Sequence, residues 1–377
     1  MSSNMSTKPL PLRVAVVGCG NISDIYLKTM PTFSALRVVG VSDLDAERAK
    51  AHAEKYGIAR AIPLDRVFDD PEVDLILNLT TPESHAAIAL RALEAGKHVY
   101  GEKPLALTVS DGRRVVDTAS ANGLRVGSAP DTVLGAGLQT CRALIEAGEI
   151  GEPIAASAFM TTPGHERWHP NPAFYYQPGA GPMFDMGPYY LSALINLIGP
   201  IARVSGMARA TYAERTITSE AKRGEKIQVN TPTHIASQLG FENGAIGTIV
   251  TSFDIWGAVL PRIEVYGTKG SLSVPDPNTF GGVVRIKRRE SEWEDVALTH
   301  PYPDNTRGLG VADMAEAIAA GRPHRANGEL ALHVLEVMQA TLDAAAQGRT
   351  VDIDTRVDKP LPMANQPFAA NVEPLNV

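Results

Sequence analysis

Cysteine is nearly absent from this sequence of 377 residues, with only Cys19 and Cys141 present. Two cysteines cannot form a disulfide framework, which excludes the class of small disulfide-stapled secreted domains. Basic residues do not exceed acidic ones either, since the net charge is -7. This balance excludes a basic surface for nucleic acid and a polybasic surface for membranes.

Long hydrophobic runs are also missing. The longest apolar stretches, such as 75–79 and 246–250, are far too short to cross a bilayer. No apolar signal core precedes the first expected strand, so we expect a cytoplasmic protein with neither membrane nor nucleic-acid partners. Hydrophobic residues still make up 44% of the chain, enough for a sizeable core.

The order of the expected elements predicts two domains. The first part alternates apolar strands with helices, which predicts an α/β fold on a doubly wound parallel sheet. The second part places strands one after another, which predicts an antiparallel sheet whose face could form a homodimer or homotetramer. We expect a dinucleotide-binding domain at 1–131, a substrate-binding and oligomerisation domain at 132–357, and an extended tail at 358–377. The helices expected at 309–320 and 328–347 should pack back on the first domain.

A glycine-containing turn follows the first expected strand, at Gly18-Cys19-Gly20-Asn21-Ile22-Ser23. It matches the dinucleotide-binding fingerprint with serine in the third glycine position. Gly18 permits a tight turn, and Gly20 lets the backbone approach a pyrophosphate that the following helix binds through its N–H groups. A tight turn without a ligand is the alternative. The cofactor candidates in this turn are Gly18, Gly20, Asn21 and Ile22.

Asp43 ends the second expected strand, 23 positions after Gly20. An acidic residue there hydrogen-bonds the ribose hydroxyls and repels a 2′-phosphate, so NAD is favoured over NADP. The alternative is a cap for the next helix, a role that Asp45 can take and so leave Asp43 free.

Two later strand ends carry further candidates. Thr80, Thr81 and Pro82 follow the strand at 75–79 and should lie at the same sheet edge as Gly18 and Asp43. His85 could contact the cofactor or be a histidine satisfied within the first helical turn, and we weigh both equally. The strand at 98–100 leads to Glu102-Lys103-Pro104, which places Lys103 where open α/β sheets bind ligands.

Polar and aromatic residues concentrate in the second half between 164 and 190. Aromatic rings suit the C–H faces of carbohydrates, and polar groups between them bind hydroxyls. A loop packed into the core is the alternative. His165 and His169 lack a third ligand at zinc spacing, so we expect no metal. The substrate-binding candidates are Lys103, Asp131, His165, Arg167, Trp168, His169, Asp185 and Tyr189.

Three motifs together resemble the Gfo/Idh/MocA oxidoreductase family: GCGNIS near the N-terminus, T-P-x-x-x-H before a helix, and A-G-K-H-V-x-x-E-K-P. The resemblance extends to about residue 348. It implies an N-terminal Rossmann domain followed by an α/β domain with an open, mostly antiparallel sheet. It also implies that Lys103 is the catalytic-site lysine and that Glu102 lies beside the nicotinamide ribose.

The chain departs from the family motif G-G-x-x-x-D-x-G-x-H. It has Asp185 in the aspartate position but Tyr189 where the family often has histidine. A tyrosine has a pKa of about 10 in water, and a neighbouring lysine ammonium would lower that pKa enough to make a usable base. Pro188 suggests that a helix starts near it, which would make Asp185 partly an N-cap.

We therefore expect an NAD-dependent oxidoreductase that moves a hydride between a sugar or cyclitol hydroxyl carbon and NAD. Lys103 or Tyr189 accepts the hydroxyl proton, and Asp185 orients the substrate or Lys103. One alternative is an oxidoreductive glycoside hydrolase that oxidises, eliminates, hydrates and re-reduces its sugar. His165, Arg167, His169 and Lys103 could then hold an anionic sugar group. A non-enzymatic redox sensor is a further alternative.

Overall fold

The structure is a computed structural model that describes residues 10–371, and the chain forms two compact units. Within the described residues, the first unit comprises 10–136, 300–332 and 360–371. The second unit comprises 137–299 and 333–359. Residues 300–332 and 360–371 thus return to the first unit, where the tail pairs with the chain through the Phe33–Ala370 bridge.

The first unit is built on five parallel strands in the order β2-β1-β3-β4-β5. The strands are β1 Leu12–Val17, β2 Leu36–Ser42, β3 Leu75–Asn78, β4 His98–Gly101 and β5 Val126–Ser128. The connecting helices are α1 Ser23–Thr29, α2 Ala46–Lys55, α3 His85–Glu94 and α4 Val109–Ala121. The predicted doubly wound parallel sheet is confirmed. Its strand order reverses between β1 and β3, and ligands of such sheets bind outside the strand ends at that point.

Apolar side chains on both faces explain why these strands form the centre of the unit. Val17, Ile76 and Val99 are at most 1% exposed and belong to one core cluster with Phe68 and Leu93. Helices cover a parallel sheet on both faces, so its strands read as continuous apolar runs rather than alternating ones.

The second unit is built on a nine-stranded sheet in the order β15-β14-β13-β12-β6-β11-β10-β7-β16. Only the β6–β11 pair is parallel among the pairs of this sheet in the described residues. The elements after β5, in chain order, are α5 Ala136–Glu146, β6 Pro153–Thr161, α6 Gly181–Leu197, β7 Ile201–Arg209, β8 Glu214–Thr216, β9 Lys226–Gln228, β10 His234–Phe241, β11 Ile246–Ser252, β12 Ile263–Gly267, β13 Gly270–Val274, β14 Val284–Arg288, β15 Glu294–Val296, α7 Leu309–Ala320, α8 Gly328–Gln347 and β16 Val351–Asp352. Strands β8 and β9 pair separately.

The hairpin between β10 and β11 sets the register of the sheet centre. Its turn holds Gly244 at φ +88°, a conformation that favours glycine. Ser237 then pairs with Ile249, and Gly240 with Ile246. The predicted mostly antiparallel sheet is confirmed.

Helix α6 begins earlier than Pro188 suggested. It starts at Gly181 with Pro182 in its first turn, and Pro188 lies inside it. A first-turn proline loses no intrahelical hydrogen bond. Pro188 removes one bond from the interior, but the residues around it are buried, and packing stabilises the helix there. Asp185 is therefore a helical residue one turn before Tyr189, and the expectation that it caps the helix is wrong.

No helix within residues 10–371 combines the length and the hydropathy that a membrane span requires.

Candidate active site

The turn after β1 approaches the end of β3 closely at one glycine and is open at the next. Gly18 has φ +100°, and a Cβ there would lie 2.7 Å from the carbonyl carbon of Leu79. At Gly20, a Cβ would meet no described atom within 4 Å. Gly18 is thus required for the turn itself, whereas Gly20 leaves an open space above the backbone. That space is the kind of cradle a pyrophosphate needs.

Ser23 fills the third glycine position of the fingerprint. Its side chain is fully buried, and its Oγ donates to the carbonyl of Gly20 at 2.7 Å. The hydroxyl therefore braces the turn from inside. Asn21 is exposed and Ile22 is partly buried at the start of α1.

The Asp43 carboxylate binds the glycine turn and does not cap α2. Its Oδ2 accepts the N–H of Cys19 at 2.7 Å, and its Oδ1 accepts the N–H of Asp45 at 2.9 Å. Asp45 caps α2 as expected, accepting from Glu47 and Arg48. A carboxylate offers about four lone-pair sites, so Asp43 retains capacity for ribose hydroxyls. Burial and the Asp43 charge raise the pKa of the Cys19 thiol to about 12, which keeps that thiol protonated.

Asn78, which the sequence analysis did not single out, organises the end of β3. It is 1% exposed, its Nδ2 donates to the carbonyl of His85, and its Oδ1 accepts from both N and Oγ1 of Thr80. An asparagine at the end of a strand of β-branched and leucine residues was the available signal. Thr80 is thereby held with Thr81 exposed beside it.

His85 is a satisfied core histidine, the second of its two readings. It is 3% exposed, with Nδ1 2.6 Å from the carbonyl of Pro104 and Nε2 3.0 Å from the carbonyl of Thr80. Its ring joins the loops after β3 and β4. His85 therefore acts on the site through these loops, and a direct contact with a cofactor is not supported.

Glu102 fixes the backbone that carries Lys103. Its Oε1 accepts the hydroxyl of Tyr26 at 2.9 Å, and its Oε2 accepts the N–H of Lys103 at 3.1 Å. Burial and the Glu102 charge raise the pKa of Tyr26 well above its ordinary value, so the phenol remains a donor. Lys103 is partly buried and directly follows Glu102 at the carboxyl end of β4.

Asp131 serves a helix and not a substrate, which corrects its place among the substrate candidates. It is 1% exposed, and its Oδ2 accepts the N–H groups of Gly308 and Gly310 at 2.8 and 3.0 Å. These groups begin α7, so Asp131 satisfies donors that lack intrahelical partners. Burial raises its pKa to about 6.

In the second unit, His165 and Asp185 form a dyad that the sequence analysis did not foresee. The His165 Nε2 lies 2.8 Å from Asp185 Oδ2, and the two side chains are 10% and 12% exposed. His165 lies in the loop after β6, and Asp185 lies on α6. A separation of 20 positions leaves no periodic signal in the sequence.

Aromatic rings surround the dyad. Ring centroids of Tyr175 and Phe253 lie 4.3 and 4.5 Å from that of His165. The His165 Nδ1 is buried without a hydrogen-bond partner among the described residues. Tyr189 is 6% exposed and lies one helical turn after Asp185. The pairing between histidine and aspartate is thus held in a low-dielectric environment, where it is strengthened.

The other polar-aromatic candidates lie further out on the same loop. Trp168 is 62% exposed, and the guanidinium of Arg167 lies 4.8 Å above the ring of Trp256. His169 accepts the N–H of Asn171 at 3.0 Å, and burial lowers its pKa below the ordinary value. Within residues 10–371, no group of three or more histidine, cysteine or acidic side chains could hold a metal ion.

Models of one protein family match both units of the chain. The oxidoreductase family with an NAD-binding Rossmann fold matches residues 12–129, and the GFO/IDH/MocA C-terminal domain matches 138–273. The chain therefore belongs to the Gfo/Idh/MocA family of oxidoreductases with an NAD-binding Rossmann fold, which includes sugar and inositol oxidoreductases.

Individual relatives span nearly the whole chain. Inositol 2-dehydrogenase 3 of Saccharopolyspora erythraea is 34% identical, over 93% of this chain and 98% of its own. The 1,5-anhydro-D-fructose reductase of Ensifer adhaerens is 28% identical, over 91% and 99%. The crystal structure of an aldose-aldose oxidoreductase from Caulobacter crescentus with glycerol superposes with a TM-score of 0.74 at 25% identity, covering 91% of this chain and 99% of that one.

The residues of the first unit fit the dinucleotide that the family implies. The open space at Gly20 would leave room for phosphate, and the Asp43 carboxylate at the end of β2 would lie where ribose hydroxyls bind in such folds.

Proposed function

We propose that this protein is an NAD-dependent dehydrogenase that oxidises a hydroxyl of a sugar or cyclitol. The observation that carries the proposal is the arrangement around Lys103, which follows β4 and has its backbone held by Glu102. A lysine at a strand end whose backbone is held by a partly buried carboxylate can exchange a proton with a bound hydroxyl. Bound NAD would accept the hydride from the same carbon.

Cofactor choice is assigned to Asp43. Its carboxylate would accept bonds from ribose hydroxyls and repel a 2′-phosphate, so NAD is preferred over NADP. Arg48 lies 3.4 Å from Asp43, which moderates this repulsion without removing it. The residues proposed to bind the cofactor are Gly18, Gly20, Asn21, Ile22, Asp43, Thr80, Thr81, Pro82, Glu102 and Lys103.

The second unit supplies substrate-binding groups. Asp185 accepts hydrogen bonds from substrate hydroxyls, and His165 holds it in one orientation through the 2.8 Å contact. Lys103 or Tyr189 takes the hydroxyl proton. Arg167, Trp168 and His169 line the outer part of the substrate site.

We also propose a homodimer or homotetramer formed through the nine-stranded sheet. More exposed side chains alternate with buried ones along these strands. The more exposed face includes Met207 and Ile246, which are 81% and 62% exposed. On the neighbouring strand β10, the small residue Ala236 pairs with Met207, and Gly240 pairs with Ile246. A flat, partly apolar face of this kind suits association with a second copy.

The test is a screen of sugars and cyclitols with NAD or NADP, following absorbance of the reduced nicotinamide. We expect turnover with at least one of these compounds and NAD. Lys103→Ala should lower kcat by about a thousandfold, within the range for losing a general base. Lys28→Ala, an exposed lysine of α1, is the matched control and should retain full activity. Light scattering on the same preparation reports the oligomeric state, and a monomer would contradict the proposed assembly.

Absence of reduced nicotinamide with every compound, or full activity of Lys103→Ala, would contradict the dehydrogenase. Chromogenic glycosides belong in the same screen. NAD-dependent release of the chromophore without net reduction would identify glycoside cleavage, an activity that the name of no relative given above includes.

A further inference from the structure

A cavity lies in the second unit, and Asp185 is not among the residues that line it. It has a volume of about 200 Å³, and the residues around it include Glu166, Tyr212, Glu214, Arg215, Asp254 and Trp256. These residues come from four segments: the loop after β6, the segment before β8, β8 itself and the loop after β11. The cavity is therefore a product of the tertiary fold.

A buried guanidinium forms the polar part of this cavity. The Arg215 side chain is 6% exposed, and its Nη1 donates to Glu166 Oε1 at 2.6 Å and to the carbonyl of Pro163 at 3.2 Å. Its Nη2 donates to the carbonyl of Phe253 at 2.9 Å and to Asp254 Oδ1. The two carboxylates hold the guanidinium plane from both sides. Its position is therefore fixed before any ligand arrives.

One donor of this guanidinium has no protein partner. The Nε of Arg215 is buried and finds no acceptor among residues 10–371. A buried donor without an acceptor is unfavourable, so the guanidinium retains one unsatisfied hydrogen-bonding group beside the cavity. Glu166 and Asp254 supply acceptors around the same guanidinium.

Two exposed aromatic rings flank the polar groups. Trp256 is 76% exposed and Tyr212 is 50% exposed, and the Tyr212 ring lies 5.5 Å from the Arg215 guanidinium carbon. Large aromatic rings left in solvent beside a polar cavity mark binding sites more often than isolated exposed apolar residues do.

The charges select the ligand class. Glu166 and Asp254 neutralise Arg215, and Glu214 is paired with Lys226 at 2.9 Å. Three carboxylates disfavour an anion. A neutral polyhydroxyl ring can donate to the remaining lone pairs of the carboxylates and present C–H faces to Trp256 and Tyr212. No single charged group is needed to hold it.

We propose that this cavity is a second carbohydrate subsite, which binds the non-reacting ring of a glycoside or disaccharide. Its place in the unit supports this, because Glu166 follows His165 and Asp254 follows Phe253, whose ring lies 4.5 Å from His165. The cavity residues Glu166 and Asp254 thus directly follow a residue of the dyad and a residue that packs against it. The inference deepens the proposed function, on which it rests, by assigning a two-ring substrate.

Binding without cofactor tests this subsite. Saturation-transfer NMR on the full-length protein would measure maltose, cellobiose and lactose, with glucose and myo-inositol as one-ring probes. We expect at least one disaccharide to bind, and we expect Trp256→Ala and Tyr212→Ala each to weaken it about tenfold, a typical loss for an aromatic contact. One-ring probes should bind all variants equally. Trp293→Ala, at 40% exposure outside the cavity, is the matched control and should bind like the wild type.

The subsite is overturned if no disaccharide binds, or if both cavity variants bind disaccharides as tightly as the wild type does. It is also overturned if Trp256→Ala weakens the binding of glucose as much as the binding of disaccharides. Because the assay contains no NAD and follows no hydride, a failed dehydrogenase screen leaves its result interpretable. Disaccharide binding that depends on Trp256 without any hydride transfer would reject the proposed function and retain the subsite.

Discussion

The two units position their functional side chains by different means. In the first unit, Gly18 and Asp43 directly follow the ends of parallel strands, and Lys103 is the second residue after another, so their placement follows from strand order. In the second unit, His165 and Asp185 belong to a loop and a helix, and a side-chain contact joins them. The first arrangement is encoded by the backbone, and the second depends on packing.

This difference has a mechanical consequence. Hydrogen bonds to the backbone secure the first unit, such as Asp43 to the N–H of Cys19 and Glu102 to the N–H of Lys103. Aromatic contacts secure the dyad of the second unit, with Tyr175 and Phe253 against the imidazole. Substitutions should therefore act locally in the first unit and in a coupled way in the second.

Within this comparison of the two units, the largest expected effect comes from breaking the His165–Asp185 pair. Asp185→Asn should lower kcat/KM about a hundredfold, because the amide neither accepts equally well nor pairs with the same imidazole. His165→Gln should cost a similar factor, and the double variant should cost little more than either single one, since both remove one interaction. Steady-state kinetics of the four proteins measure this. Asp352→Asn, exposed on β16, is the control, and fully additive losses would show that the two residues act independently.

A smaller effect concerns how stability depends on pH, to which one buried histidine in each unit contributes. Burial lowers the pKa of His324 in the first unit and of His333 in the second to about 4. Because the unfolded histidines titrate near 6.5, the unfolded state binds more protons below that pH, and stability falls as pH drops toward 4. Each should cost about 2 kcal/mol between pH 7 and pH 5.

Denaturant unfolding at both pH values measures this loss. On acidification, His333→Gln should lose less stability than the wild type does. The difference should be about 2 kcal/mol, which is the contribution of that one histidine. An unchanged pH dependence in that variant would show that His333 is already accessible to protons in the folded state.

The smallest effect separates two glycines of one turn. Gly20→Ala should leave the free energy of unfolding unchanged, because its Cβ meets no described atom. The same Cβ should weaken the binding of NAD about tenfold, because it enters the space proposed for the pyrophosphate. Gly18→Ala should instead lower stability by about 1–3 kcal/mol through its positive φ and the contact with Leu79. Calorimetric titration with NAD and thermal unfolding distinguish the two. Equal changes in NAD affinity and in stability for both variants would contradict the separate roles of the two glycines.

Sequence patterns predicted the first unit well and the second unit in outline. Apolar runs predicted all five parallel strands, since burial on both faces leaves a continuous signal. The short strand β13, with its glycine and serines, was missed because pairing with β12 and β14 forms it rather than its own propensity. The helix start predicted from Pro188 was wrong, because packing around α6 overrode the preference of proline for the first turn of a helix.

Site residues divide in the same way. Gly20, Asp43 and Lys103 were predicted from their positions after strands. Asp131 and His85 were polar residues at the same sheet edge, yet the fold uses them to hold α7 and two loops. A polar side chain near a strand end can serve the ligand or the backbone, and only its hydrogen-bond partners decide which.

The sequence by itself determined the family, the parallel sheet and the strand ends that carry the cofactor residues, because period and spacing are local properties of the chain. Only the tertiary structure decided that His165 pairs with Asp185 and that Arg215 lies between Glu166 and Asp254. Such contacts join residues 20 to 49 positions apart, and no periodic pattern specifies a distance between segments that meet only after folding.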